Sequence, residues 1–163
     1  MATINVTSTA DSGAGTLRQA ITDLNAQTGS HTITFTGLTG TITLASVLPT
    51  LSRSMTITGP GLSNLTISGN NLYRVFVLGS ATLTFNISGL TIANGRAASA
   101  YPGYIGGGIY NPSSGSSSTL NVDSCYFTAL VLLLFFQVSI QHVRISAFYP
   151  MSGPIFITSC VSS

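Results

Sequence analysis

Short stretches in which apolar residues alternate with polar or small residues recur along the chain as far as residue 123, and Gly, Asn or Ser residues separate them. Alternation with a period of two is typical of strands that bury one face. The pattern predicts strands at 3–7, 31–35, 40–44, 55–58, 65–68, 74–78, 83–86, 90–93, 108–111 and 120–123. The intervening residue types allow sharp bends, so short strands joined by corners are expected.

One segment follows a helical period instead. Its apolar residues fall at i, i+3, i+4 and i+7 and therefore share one helical face, namely Leu17, Ala20, Ile21 and Leu24. Arg18 and its polar neighbours fall elsewhere, and Gly29 follows as a stop signal. The sequence therefore predicts an amphipathic helix near 16–26.

A longer repeat appears when strands with similar flanks are aligned. Segment 55–70 parallels segment 83–95 at an offset of about 27 residues, and the next repeat starts at residue 120, after a loop at 97–118 rich in Tyr, Gly and Ser. Repeats of this length indicate solenoids, propellers or arrays. The absence of Trp and of Asn-Gly hairpins between strands argues against a propeller. We therefore predict an all-β fold, a parallel β-helix (solenoid) whose first turn is covered by the capping helix.

Residues 2 to about 125 resemble the N-terminal module, of the "CSLREAI" type, of bacterial right-handed parallel β-helix surface proteins in the pectin-lyase-like superfamily. The signature reads GTLRQAI at 15–21, without the Cys and with Gln19 in place of Glu. GGIY at 107–110 resembles the GGxx element of polymorphic outer-membrane protein repeats, but FTAL at 127–130 lacks the Asn of the FxxN element that usually accompanies it. The resemblance implies a right-handed β-helix at the bacterial cell surface or outside the cell.

The pattern changes at residue 126, which divides the chain into a β-helical part at 1–125 and an apolar tail at 126–163. A membrane helix at 126–140 would have about 15 residues, short of the roughly 20 that a bilayer requires, so membrane contact is not favoured. Continuation of the β-helix would place bulky apolar residues on the solvent face. A frameshift or truncation near residue 126 is the favoured interpretation.

Charge is sparse and argues against several classes of protein. Only 5% of the residues are charged, and the cations are five arginines spread along the chain without a basic patch, so nucleic acid is not a predicted partner. The 44% hydrophobic content excludes the composition typical of disordered chains. Residues 1–6 lack the basic and apolar regions of a signal peptide, which suggests another export route or an internal or trimmed fragment.

The sequence predicts no catalytic, cofactor or metal site, and hence no enzyme. Enzymes that cleave acidic polysaccharides need clustered carboxylates, whereas Asp11, Asp23 and Asp123 are the only acidic residues. Asp11 and Asp23 bracket the predicted helix, where capping and dipole roles are expected, and Asp123 is expected on a solvated face. His31 and His142 have no partner at metal-ligand spacing.

Two further groups of residues are assigned structural roles. Cys125 and Cys160 are the only cysteines, and they do not identify the redox compartment of the protein. A buried free thiol is the favoured interpretation. Asparagines at corners, among them Asn70, Asn71 and Asn94, are expected to stack into amide ladders.

Tyr101, Tyr104 and Tyr110 form the one candidate contact site, for surface glycans or for host or biofilm proteins. The alternative, that these tyrosines cover a flank of the solenoid, is favoured. With the resemblance, the sequence predicts a non-catalytic structural or adhesive segment of a bacterial secreted or cell-surface protein. The alternative function is the N-terminal fragment of a polysaccharide lyase or hydrolase whose active site lies outside this chain.

Overall fold

The computed structural model describes residues 1–79, 81–97, 107–110 and 118–128. This part of the chain is mostly β, with parallel sheets and one helix. The elements, in chain order, are β1 (Ala2–Asn5), α1 (Leu17–Asn25), β2 (His31–Thr34), β3 (Gly40–Thr43), β4 (Met55–Thr58), β5 (Leu65–Ser68), β6 (Phe76–Val77), β7 (Thr84–Ser88), β8 (Thr91–Ala93), β9 (Ile109–Tyr110), β10 (Thr119–Asp123) and β11 (Tyr126–Thr128).

The strands form three sheets in which every pairing is parallel. Sheet A has the order β1-β2-β4-β7-β10, sheet B has the order β3-β5-β8-β11, and sheet C pairs β6 with β9. A bridge between Leu51 and Leu78 extends the third sheet toward the preceding passage of the chain. The chain visits the sheets in a repeating order, from A to B to C and back to A, in the passages β4-β5-β6 and β7-β8-β9.

The register of sheet A places chemically similar residues beside one another on successive strands. Its central inward column holds aliphatic side chains from all five strands, namely Ile4, Ile33, Ile57, Ile87 and Val122. The members on the three middle strands are at most 1% exposed. Because side chains alternate between the faces of a strand, the flanking positions point outward and are polar, as the alternation predicts.

The repeat offset differs between the sheets. Met55 pairs with Phe85, 30 residues on, whereas Thr66 pairs with Thr91, 25 residues on, and the predicted offset of about 27 lies between the two. Matching the starts of the two segments, 55 with 83, misses the partner of Met55 by two residues, which keeps the side chain on the same face, so hydrophobic alternation cannot detect the error. Several strand ends also differ by one or two residues from the predicted ones, as in β6, which is confined to Phe76–Val77.

Helix α1 buries the four residues that its periodicity places on one face. Thr16 is the N-cap, since its Oγ1 accepts a hydrogen bond from the Gln19 N–H (3.3 Å) and thereby satisfies one unpaired helical donor. Thr16 Oγ1 also donates to the Gly13 carbonyl (2.8 Å). The helix packs against β1, so its apolar face covers the part of the core beside the first strand of sheet A.

The corners between sheets A and B bring two glycines together. A Cβ on Gly59 would collide with the Gly89 carbonyl, while the Gly59 N–H donates to Ser88 O and the Gly61 N–H to Gly89 O (both 2.8 Å). Gly89 itself has a φ of 66°, in the left-handed region that favours glycine. Close stacking of successive corners therefore requires glycine on both.

Strand pairing continues past the predicted boundary at residue 125. Tyr126, Phe127 and Thr128 pair in register with Thr91, Ile92 and Ala93, so β11 adds a fourth strand to sheet B. The remainder of the predicted tail, including most of the segment considered for membrane contact, lies outside the described residues. Among the described residues no helix is long and apolar enough to cross a membrane.

Candidate functional site

Tyr110 is the one predicted contact residue that the structure describes; Tyr101 and Tyr104 lie outside the described residues. Tyr110 ends β9 and is half-buried. The guanidinium carbon of Arg74 lies 4.3 Å from the centroid of its ring. A cation over an aromatic face is attracted by the ring quadrupole, with an energy of about 0.5–2 kcal/mol. One face of Tyr110 is therefore occupied by an arginine that the sequence did not single out.

A second arginine is anchored next to this pair. The backbone N–H of Arg96 donates to the carbonyl of Tyr73 (3.0 Å), the residue that precedes Arg74. Arg96 is exposed, and Tyr73 is half-buried against the core. Leu72, beside them, is 57% exposed, one of the few large apolar residues in the described chain that face solvent. We call the surface formed by Leu72, Tyr73, Arg74, Arg96 and Tyr110 the arginine–tyrosine corner.

The backbone beneath this corner is held by a dense set of hydrogen bonds. The N–H groups of Leu72 and Tyr73 donate to Gly69 O (3.0 and 2.9 Å), and the N–H of Asn71 donates to Asn94 O (2.8 Å). A Cβ on Gly69 would collide with the Tyr73 carbonyl and lie 2.8 Å from Asn94 O. The segments 69–73 and 94–96 are thus in direct contact. This contact fixes the position of the Arg96 backbone relative to that of Arg74.

No side-chain carboxylate lies on the residues that form this corner. Asp11 pairs with Arg18, with 2.6 Å between Arg18 Nη2 and Asp11 Oδ1. Asp23 accepts a hydrogen bond from Gln19 Nε2 (2.7 Å) on α1, and Asp123 lies at the end of β10 in sheet A. The five residues of the corner therefore carry two cationic side chains and no acidic one.

The predicted dipole and capping roles of Asp11 and Asp23 are wrong. The first turn of α1 holds no acidic residue, and Asp23 lies toward the C-terminal end of the helix, where a negative charge is unfavourable. Asp11 instead organises a contact between the helix and the loop after β3. Its Oδ1 accepts from the Ala45 N–H (3.1 Å), while Arg18 donates to Ser46 O (2.9 Å) and Val47 O (2.7 Å).

The pKa of Asp11 lies below its ordinary value of 3.8. Partial burial acts to raise this pKa, but the hydrogen bonds from Arg18 and the Ala45 N–H, together with the guanidinium charge, outweigh it.

At the other end of the helix, Asn25 donates to Thr50 O (2.7 Å) and accepts from the Ser52 N–H (3.0 Å). Polar contacts at both ends therefore fasten α1 to the segment between β3 and β4.

His31 opens β2 and points into the core beside Met55. It is 2% exposed, and neither ring nitrogen has a hydrogen-bond partner among the described residues. Its nearest neighbours along the sheet are Ala2 and Met55, neither of which carries a hydrogen-bonding side chain suited to an imidazole. In this environment His31 occupies a position of the inward face that the other strands of sheet A fill with apolar side chains.

Cys125 is a buried free thiol, as the sequence analysis favoured. Burial raises its pKa to about 11, and the negative charge of Asp123 acts in the same direction, against hydrogen bonds from the backbone of Leu90 and Gly89. Its Sγ lies 3.6 Å from Ile87 O. Because the thiolate is the reactive form, this environment makes Cys125 inert. Cys160 lies outside the described residues.

The amide ladder occurs at other asparagines than those predicted. On the outer face of sheet A, Asn121 Nδ2 donates to Asn86 Oδ1 (2.8 Å), and Asn86 Nδ2 donates to Thr56 Oγ1 (3.2 Å). Asn70, Asn71 and Asn94 adopt left-handed backbone conformations at corners instead, with φ between 50° and 58°. Asparagine tolerates this region better than other non-glycine residues do, and Asn94 Nδ2 also donates to Ser68 Oγ (3.2 Å) on the neighbouring strand of sheet B.

The structure thus brings together two arginines that sequence reasoning treated as scattered. They are far apart in sequence, and no linear pattern joins them. A usable signal was present, however, because each follows a strand of sheet B and a corner that contains asparagine, SGNN before Arg74 and ANG before Arg96. Among the described residues, no group of three or more His, Cys, Asp or Glu side chains is placed to hold a metal ion.

Comparisons of this chain with protein-family models, with curated proteins and with solved structures find no match.

Proposed function

We propose that the described residues form the start of a right-handed parallel β-helix, and that this segment serves a structural or adhesive role, without catalysis, in a bacterial secreted or cell-surface protein. The observation that carries the proposal is the in-register parallel stacking of sheet A, in which an aliphatic inward column recurs on five strands. Stacking of one supersecondary unit on the next is the way in which solenoids build a continuous core.

The location of the polar chemistry also supports a role without catalysis. Two carboxylates within about 5–10 Å of each other are the usual machinery of glycoside hydrolysis. In this chain Asp11 forms an ion pair with Arg18, Asp23 accepts a hydrogen bond from Gln19, and Asp123 lies on the fifth strand of sheet A.

The proposed location at the bacterial surface comes from the resemblance of GTLRQAI at 15–21 and GGIY at 107–110 to the β-helix surface proteins.

Helix α1 fits the proposed architecture as a cap. Its buried residues cover apolar side chains beside β1, the edge strand of sheet A, where a solenoid would otherwise expose its core. The hydrogen bonds of Arg18 and Asn25 to the segment at 46–52 hold the helix in that position.

An experimental structure tests the architecture directly. We expect sheets A, B and C to be wound by one chain in a right-handed sense, with α1 over the end; a left-handed winding, or closure of sheets A and B into a sandwich, would contradict the proposal. The role is tested by incubating the protein with host-derived and biofilm glycans and, in parallel, with acidic polysaccharides in an assay for chain cleavage. We expect the protein to bind the glycans and to leave the polysaccharides uncleaved. Cleavage of a polysaccharide without binding to the glycans would support the lyase or hydrolase alternative.

A further inference from the structure

The arginine–tyrosine corner has a composition unlike the rest of the outer surface. The outward columns of sheet A are built from short hydroxyl and amide side chains, such as Thr3, Thr32 and Thr56. At the corner, two arginines, two half-buried tyrosines and an exposed leucine meet instead. It is the part of the described surface where cationic, aromatic and aliphatic groups occur together.

We propose that this corner binds a saccharide that carries a carboxylate or sulfate group. The proposal rests on the proposed function, which places the protein where such polymers occur. Arg96, which is exposed, would donate N–H groups to the anionic oxygens, and Arg74 adds a second positive charge next to it. A guanidinium is suited to this task because its donors form a planar fork that matches two anionic oxygens.

The stacking of Arg74 on Tyr110 contributes in two ways. It holds a long, otherwise flexible side chain against a ring that is fixed by a strand, which reduces the entropy lost when a ligand is bound. It also keeps the positive charge next to an aromatic group. A sugar ring presents both hydroxyl edges and a C–H face, so the exposed Leu72 side chain and the tyrosines offer an apolar contact beside the charge.

The frame of the corner is rigid enough to position both arginines. Tyr73 O accepts the Arg96 N–H, and the N–H groups of Val75 and Phe76 donate to Gly107 O (3.1 Å) and Gly108 O (2.9 Å), next to β9. The segments that carry Arg74, Arg96 and Tyr110 are therefore joined by backbone hydrogen bonds. A site on such a frame loses little free energy to reorganisation on binding.

Electrostatics favour an anion at this position. Asp11 lies in the segment between β1 and α1 and pairs with Arg18, Asp23 lies on α1 itself, and Asp123 belongs to sheet A. Of the four arginines in the described residues, Arg18 is paired with Asp11, and Arg53 donates to the Gln27 carbonyl (2.8 Å). The other two differ from these, because the Arg74 guanidinium lies over the Tyr110 ring and Arg96 is exposed.

Titration calorimetry on the complete 163-residue chain tests the proposal. The probes are a heparin oligosaccharide, which carries sulfates as well as carboxylates, a hyaluronan oligosaccharide, which carries carboxylates only, and neutral dextran. We expect binding of one or both anionic probes, with an affinity that falls as salt rises, and none of dextran. Binding of heparin alone identifies a requirement for sulfate, whereas binding of both probes shows that a carboxylate is sufficient.

Three variants localise the binding. Arg96→Gln is expected to weaken it about tenfold, the loss of one charge-assisted hydrogen bond, and Arg96→Lys less, because the charge remains without the fork. Arg53→Gln is the matched control, with the same change of net charge, and should leave the affinity unchanged. Thermal unfolding of each variant shows that it is folded.

Failure to bind either anionic saccharide, or equal losses in Arg96→Gln and Arg53→Gln, overturns the proposal. Binding of poly-glutamate as tight as that of the saccharides also overturns it, because recognition would then depend on charge without the sugar. None of these results affects the non-catalytic β-helix, which fails instead on a different winding of the sheets or on cleavage of a polysaccharide.

Discussion

Replacing His31 by methionine should stabilise the protein. A neutral imidazole carries one donor and one acceptor, and in this structure both nitrogens are buried without a partner among the described residues. Each buried, unsatisfied polar group costs about 1–3 kcal/mol. Methionine already occupies the equivalent position on the next strand, where Met55 is 1% exposed, so a side chain of this shape fits the inward face of sheet A.

We therefore expect His31→Met to raise the free energy of unfolding by at least about 1–3 kcal/mol, the cost of one of the two nitrogens. For a protein of this size the melting temperature rises by about 2–4 °C per kcal/mol. Urea unfolding followed by circular dichroism and tyrosine fluorescence measures the change, since the chain has no Trp. The control is Thr32→Met, on the outer face of the same strand, which should change the stability by less than about 0.5 kcal/mol. A destabilised His31→Met variant beside an unchanged control would refute the reasoning, because the imidazole must then have a partner in the folded protein.

Three further predictions concern the helix contact, the corner and the buried thiol. Since the folded-state pKa of Asp11 is lowered, its contribution to stability is complete above its ordinary pKa of 3.8 and is lost as the pH falls through the folded value. Urea unfolding across pH should accordingly show Asp11→Asn about 1–2 kcal/mol less stable than the parent near neutrality. This difference in the free energy of unfolding should narrow only at acidic pH, and a difference that is independent of pH would exclude the ion pair as its source. Gly69→Ala should cost more than about 3 kcal/mol, because its Cβ meets backbone atoms on two sides, whereas Gly29→Ala, where nothing lies within 4 Å of the added Cβ, should cost only the strain of its φ of 98°; similar thermal shifts for the two would argue against the close approach at the corner. In a Cys160→Ser background, Cys125 should react with a thiol reagent at pH 8 only in denaturant, as expected for a buried thiol with a pKa of about 11; rapid labelling of the folded protein would contradict the burial.

Hydrophobic alternation predicted the strands well because it reflects burial. In stacked parallel strands, successive residues point alternately into the core and toward solvent. Strands β4 and β5 have the predicted bounds, and β2 ends one residue before its predicted end. The alignment of repeats was less accurate, since the pairing of Met55 with Phe85 differs by two residues from the predicted match and preserves the face. The end of the pattern at residue 126 was likewise set by composition, although Tyr126 and Phe127 still alternate as a strand requires.

Long polar side chains were the part of the molecule that periodicity could not predict. The periodicity correctly placed Arg18 off the apolar face of the helix. It could not show that the guanidinium reaches the carbonyls of Ser46 and Val47, 28 and 29 residues away in sequence. The same limit applies to the pairing of Arg74 with Tyr110. Such contacts depend on which corners the fold brings together, and that information is tertiary.

The distribution of these contacts follows from the way in which parallel strands stack. On sheet A the register repeats nearly the same outward chemistry from strand to strand, so its face is uniform and offers little to distinguish one ligand from another. Between sheets B and C the spacing along the sequence differs, because seven residues separate β5 from β6 and fifteen separate β8 from β9. Unequal spacing between the strands of a regular scaffold leaves the register intact, and segments between strands on rigid frames often carry recognition. Arg74, Arg96 and Tyr110 lie within or beside these two segments, so in this chain specificity is expected where the repeat is least regular.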